Sequence, residues 1–168
     1  MAEKKVTLAV AKDYIRMNNI RITYIALSST LVFFSIALLI FLDSNTKYII
    51  VLVCLLFAIF NYLGSRQLKT DKNLIKNSQF DFSKSDFEVL NKKYQTTRIV
   101  NLILLVLAVL CLVASIAIPL YLLIALAAPI RYVALFFLFI AISIHLYLIV
   151  KTSSDSYRLF LDKLNQLF

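Results

Sequence analysis

The residue types that do chemistry are scarce in this chain. It has one histidine, His145, two cysteines, Cys54 and Cys111, and a single glycine, Gly64. Nucleophilic catalysis needs an activated nucleophile beside a base, a zinc site needs three or four His, Cys or carboxylate ligands, and a phosphate loop needs clustered glycines. No C-x-x-C, H-E-x-x-H or G-x-S-x-G pattern is present. The sequence therefore argues against an enzyme, and neither a cofactor nor a metal site is expected.

What remains are a few polar side chains set among apolar ones. Asn61 lies five residues before Arg66, Asn101 three after Arg98, and His145 six before Lys151, while Thr23 and Tyr24 lie two and three after Arg21. Their similar distance from a basic residue predicts that all five share one layer. In hydrocarbon such groups face each other or a wet cavity, and an interhelical hydrogen bond there contributes roughly 0.6 to 2 kcal/mol. The layer can be packing glue. It can also be a gate, a pore lining or a proton-responsive site in which His145 titrates, since its reference pKa is near 6.5. No carboxylate lies in any apolar run, which leaves out a proton relay or cation-coupled site of the usual Asp/Glu kind.

The elements that hold these residues follow from composition. Of 168 residues, 61% are hydrophobic and 16% charged, and the mean hydropathy is +0.85; soluble domains run near half and a quarter. Charge-free runs cover 22–42, 48–65, 99–130 and 132–150. A spanning helix needs about 20 apolar residues, so three runs fit one span each. The third is too long for one helix and too short for two. Pro119 would cost a hydrogen bond inside it, so the span is expected to end near Ile118, with Leu120 to Ala128 a kinked continuation or interfacial segment. Pro129 opens the fourth span, where a missing amide donor is harmless.

The expected fold is thus all-α, a polytopic membrane protein with four transmembrane helices arranged as two long helical hairpins with cytoplasmic helical extensions. Residues 1–77 form the first hairpin (spans about 22–42 and 48–65) and 78–84 a connector. Residues 85–168 form the second (spans about 99–118 and 131–150), ending in an amphipathic helix. The second span is expected to continue as helix through Leu68 to Ile75. Ser85 and Glu88 have the S-x-x-E form of a capping box and predict a helix start at Ser85. Ser154, Asp155 and Ser156 offer a cap or interruption. Tyr157, Phe160, Leu161, Leu164 and Phe168 then recur at helical spacing, to pack on other cytoplasmic helices or to lie on the inner leaflet.

With both termini inside, the inner segments carry 16 of the 18 basic residues, leaving only Lys47 and Arg131 outside. Arg66, Lys69, Lys72, Lys76, Lys92 and Lys93 are candidate contacts to anionic lipid headgroups. Small residues (Cys54, Ala58, Asn61 and Ser65; Ala134, Ala141 and His145) mark faces for close helix contact within the chain or between copies. The expected partners are the bilayer, further copies of the chain and a protein bound through the cytoplasmic helices; no specific nucleic acid is indicated.

In layout the chain resembles small multi-span components of bacterial defence or toxin–immunity modules. That resemblance implies an inner-membrane protein that self-assembles and acts as a pore, membrane-perturbing effector or membrane sensor. An immunity or anchor protein that binds another membrane protein is the alternative. The two hairpins, the cytoplasmic linker and the amphipathic terminal helix also resemble reticulon-type membrane-shaping proteins, and Asp86-Phe87-Glu88-Val89-Leu90 resembles an autophagy-receptor motif. Reporters fused at residues 1 and 168 should both read out in the cytoplasm; signals from opposite compartments would overturn the four-span reading.

Overall fold

The computed structural model describes residues 5–68, 79–127 and 129–165. Helix α1 spans Leu8–Phe41 and α2 Lys47–Gln67. Helix α3 spans Lys84–Ala125, and α4 spans Ala134–Leu164 after a short 3-10 turn at Ile130–Val133. All four are long and apolar enough to cross a membrane. At 1.5 Å per residue α2 is about 32 Å long, close to the ~30 Å of bilayer hydrocarbon, whereas α3 reaches about 63 Å. Length alone carries α1, α3 and α4 well past a single crossing.

Helix α1 packs on α2 and on α4, and α4 packs on α3, so the order across the bundle is α2, α1, α4, α3. The pairings are antiparallel. Asn18 meets Ser156 and Thr30 meets His145 between α1 and α4; Asn101 meets Ser154 and Ser143 meets Ala108 between α3 and α4. Both described ends of the chain consequently lie at one end of the bundle, together with most of the charge. At the opposite end Arg131 pairs with Asp43 at 3.3 Å, and the rings of Phe41 and Tyr132 meet edge to face.

The charged end has an interior of the kind built in water. Ala11, Tyr14 and Ile15 of α1, Leu90 of α3, and Tyr157, Phe160, Leu161 and Leu164 of α4 form one buried cluster. Phe160 is fully buried and takes the edges of Tyr14 and Phe80 at centroid distances of 5.5 and 6.2 Å. The apolar side of the last turns of α4 is therefore spent on other helices, one of the two outcomes its amphipathic spacing allowed.

Three local expectations change. The connector is partly folded: β1 (Lys5–Val6) pairs in parallel with β2 (Gln79–Phe80), and Phe80 and Phe82 pack on the cluster because aromatic surface is buried there. The capping box is Ser83 with Asp86, not Ser85 with Glu88. Ser83 Oγ accepts from the Asp86 amide at 3.2 Å, and the Asp86 carboxylate accepts from the Ser83 amide at 3.1 Å, two residues earlier than the S-x-x-E spelling suggests. No cap interrupts α4 at Ser154–Ser156, because Ser154 and Ser156 bond sideways to asparagines and Ser156 also donates to the Thr152 carbonyl. Of the two alternatives beyond Ile118, the helix continues: α3 runs on through a buried Pro119 to Ala125. It stops where Ala127 adopts a left-handed φ of 46° two residues before Pro129, a common helix terminus. Helix α2 ends at Gln67; the expected continuation to Ile75 lies outside the described residues.

The Asp86 carboxyl is held below the ordinary Asp range, first by the Ser83 hydroxyl, then by the Ser83 amide, with a smaller contribution from the charge of Lys12. A depressed carboxyl stabilises the fold above its unfolded pKa, and that contribution is lost as pH falls through the folded value. Ser83→Ala should cost about 1 kcal/mol in thermal unfolding at neutral pH, and Asp86→Asn should flatten the acid side of the stability profile. A larger loss for Ser85→Ala than for Ser83→Ala would contradict this cap.

Candidate functional site

The polar residues of the apolar region fall into two tiers instead of one layer. The first sits at the edge of the apolar segments. Asn18 Nδ2 donates to Ser156 Oγ at 2.7 Å, and Asn101 Nδ2 donates to Ser154 Oγ at 3.2 Å, which ties α1 and α3 to the same turn of α4. The second tier lies about 14 Å deeper, nine residues earlier on α4. There Thr30 Oγ1 and His145 Nδ1 are 2.9 Å apart, Ser28 Oγ donates to the Ala58 carbonyl at 2.8 Å, and Ser143 Oγ donates to the Ala108 carbonyl at 2.8 Å. All four helices contribute to this second tier.

The hydroxyl of Thr30 has one proton, and it is directed to the Ala26 carbonyl at 2.8 Å. The contact to His145 then requires the imidazole to donate, which places the proton on Nδ1 and leaves Nε2 as the acceptor of the neutral ring. His145 is thereby fixed in tautomer and orientation by a neighbour with no charge.

Among the described residues no hydrogen bond links two of the five side chains singled out by sequence. His145 pairs with Thr30, and Asn101 with Ser154. Asn61 is buried but donates to the Phe57 carbonyl of its own helix at 2.7 Å. Thr23 donates to the Asn19 carbonyl one turn back, and Tyr24 is exposed on the outside of α1. Sequence reasoning missed Asn18, Thr30, Ser143 and Ser156 as partners. Serine and threonine are unremarkable in such helices, and only the helix register shows which of them meet a neighbour.

The small faces are also accounted for. Ala58, Asn61 and Ser65 of α2, and Ala134 and Ala141 of α4, are buried within the single chain. Cys54 and Cys111 are free and half-buried. The chain matches no family model, no curated protein and no solved structure. Its function has to be argued from its own surfaces.

Of the candidate lipid contacts, Arg66 closes the last turn of α2 with its guanidinium 5.3 Å from the Tyr62 ring centre. Lys92 is exposed on α3, and Lys93 lines a groove between α1 and α3. Lys69, Lys72 and Lys76 lie outside the described residues. The Asp86–Leu90 motif occupies the first turns of α3 with Leu90 1% exposed, so it is not presented as a free segment.

A double-mutant cycle between Thr30→Val and His145→Leu should give a coupling of about 0.6 to 1.7 kcal/mol in membrane-mimetic unfolding, and the imidazole of the native protein should show the Nδ1-protonated tautomer in nitrogen NMR. An Nε2-protonated ring with no coupling would refute the pairing.

Proposed function

We propose that the protein is a non-enzymatic integral membrane protein that holds a helical head at the membrane surface as a sensor or as an anchor for another protein. In this reading the two hairpins have their helical extensions in the cytoplasm, in line with the bias of basic residues toward one end. The layout resemblance suggests the inner membrane of a bacterium as the location.

One observation carries the choice of sensor or anchor over pore. The second-tier side chains Ser28, Thr30, Ser143 and His145 each bond a neighbouring helix of the same chain. The three hydroxyls and His145 Nδ1, matched in this way, do not need water or a passing ion, so they favour a rigid anchor. The small faces that suggested self-assembly are occupied within one chain, and the anchor reading does not require further copies. The charged end, by contrast, combines a stable core with exposed basic side chains and open grooves, the features of a recognition surface.

The pore or membrane-perturbing reading draws on His145 as a titratable group deep in the apolar region. Leakage separates the two. Liposomes carrying the purified protein should retain an entrapped dye as well as empty liposomes at neutral and mildly acidic pH. Protein-dependent leakage that disappears in His145→Leu while the variant remains inserted would replace the anchor by a pore.

A further inference from the structure

We propose that the groove between α1 and α3 at the charged end binds the phosphate of an anionic phospholipid headgroup. The inference rests on the membrane reading above and adds a ligand class to the recognition surface.

The groove has a volume of about 350 Å³. Its floor is apolar and buried: Ile15 of α1, Leu90 of α3 and Tyr157 of α4. Its rim carries three cations, Lys12 and Arg16 from α1 and Lys93 from α3, and no acidic residue lines it. All three are exposed, and none takes part in the ion pairs found among the described residues, which join Lys5 to Asp81 and Arg131 to Asp43. Lys12 exerts a small field on Asp86, whose carboxylate is committed to the Ser83 cap. Three positive charges lining one groove over an apolar floor are complementary to an anion that carries an apolar tail.

Asn19 lines the same groove and places a polar side chain beside the cations.

The height of the groove selects the source of the anion. Arg16 lies six residues before Ile22 and Lys93 six before Ile99, the first residues of two charge-free runs. Both therefore sit about 9 Å outside the apolar edge, and the headgroup layer extends roughly 5 to 8 Å from the hydrocarbon on each side. Long basic side chains reach back across the difference. A phosphate held there keeps its glycerol and acyl chains beside the apolar floor and the lipid-facing part of α1, which a free phosphate would not exploit.

The test uses the full chain in detergent, with lipid binding followed by native mass spectrometry. Phosphatidylglycerol should bind more than tenfold tighter than phosphatidylcholine of the same chain length, at roughly fivefold per cation. The variant Lys12→Gln/Arg16→Gln/Lys93→Gln should lose this preference. The control Lys84→Gln/Arg98→Gln/Lys151→Gln, with the same change of charge outside the groove, should keep it. If melting shows the groove triple variant to be unfolded, Lys93→Gln alone should weaken phosphatidylglycerol about fivefold. Equal losses in both triple variants would overturn the proposal in favour of a diffuse basic surface. Displacement of phosphatidylglycerol by millimolar inorganic phosphate would overturn the lipid assignment. Resistance of the native protein to alkaline extraction from membranes is measured alongside: a protein that is extracted fails the membrane reading, whereas an inserted protein without lipid preference fails this inference alone.

Discussion

Hydrocarbon offers no hydrogen-bond partner, and the rest of this structure follows from that. Backbone groups are satisfied by making the apolar runs helical. Polar side chains on those helices must then find a partner on their own helix or on the next one. Asn61, Ser35 and Ser115 take the first course, each returning to a carbonyl three or four residues back. Ser28, Thr30, Ser143 and His145 take the second. Side chain to carbonyl bonds between helices require close approach, and the acceptors here are the carbonyls of Ala58 and Ala108, where a methyl group is all that stands between the backbones. Small residues and hydroxyls thus fix register together: one permits the approach, and the other lowers the free energy of a single alignment.

That register has consequences beyond the membrane. Because α1 and α4 are antiparallel with Thr30 opposite His145, continuing both helices by three or four turns brings Asn18 to Ser156 and Tyr14 to Phe160. The charged end is then stabilised by a different solvent effect. Burial of Leu90, Tyr157, Phe160 and Leu164 away from water is driven by the hydrophobic effect, which has no counterpart among lipid-exposed helices. The two halves of α4 therefore obey different rules within one continuous helix, and Ser153 to Ser156 lie where the rules change. The side chains of Ser156 and Ser154 bond across to Asn18 and Asn101 and carry the packing through this turn.

The sequence revealed the four apolar segments because lipid demands a composition that water-soluble helices lack. It also revealed the amphipathic end of α4, whose spacing of Tyr157, Phe160, Leu161 and Leu164 is a direct image of the surface they bury. The partners of the intramembrane polar groups were not legible. Depth counted from flanking basic residues placed His145 level with Asn101, but the two belong to different tiers because His145 meets α1 and Asn101 meets the far end of α4. The start of α3 was misplaced by one residue pattern resembling another: Ser83-x-x-Asp86 and Ser85-x-x-Glu88 overlap, and the preference for Glu over Asp at the third position favoured the wrong one. Phe80 and Phe82 sit in a stretch rich in polar residues, which hid their role in closing the aromatic cluster.

The groove between α1 and α3 is itself a product of the packing order. Both helices rest on α4, and α4 separates them across most of the bundle. In the proposed membrane reading, acyl chains would fill such a cleft within the apolar region, and the same cleft would face headgroups where the helices leave the hydrocarbon. There Lys12, Arg16 and Lys93 line it with positive charge over a floor that remains apolar. Apolar surface beside positive charge matches the two parts of an anionic lipid, the tail and the phosphate.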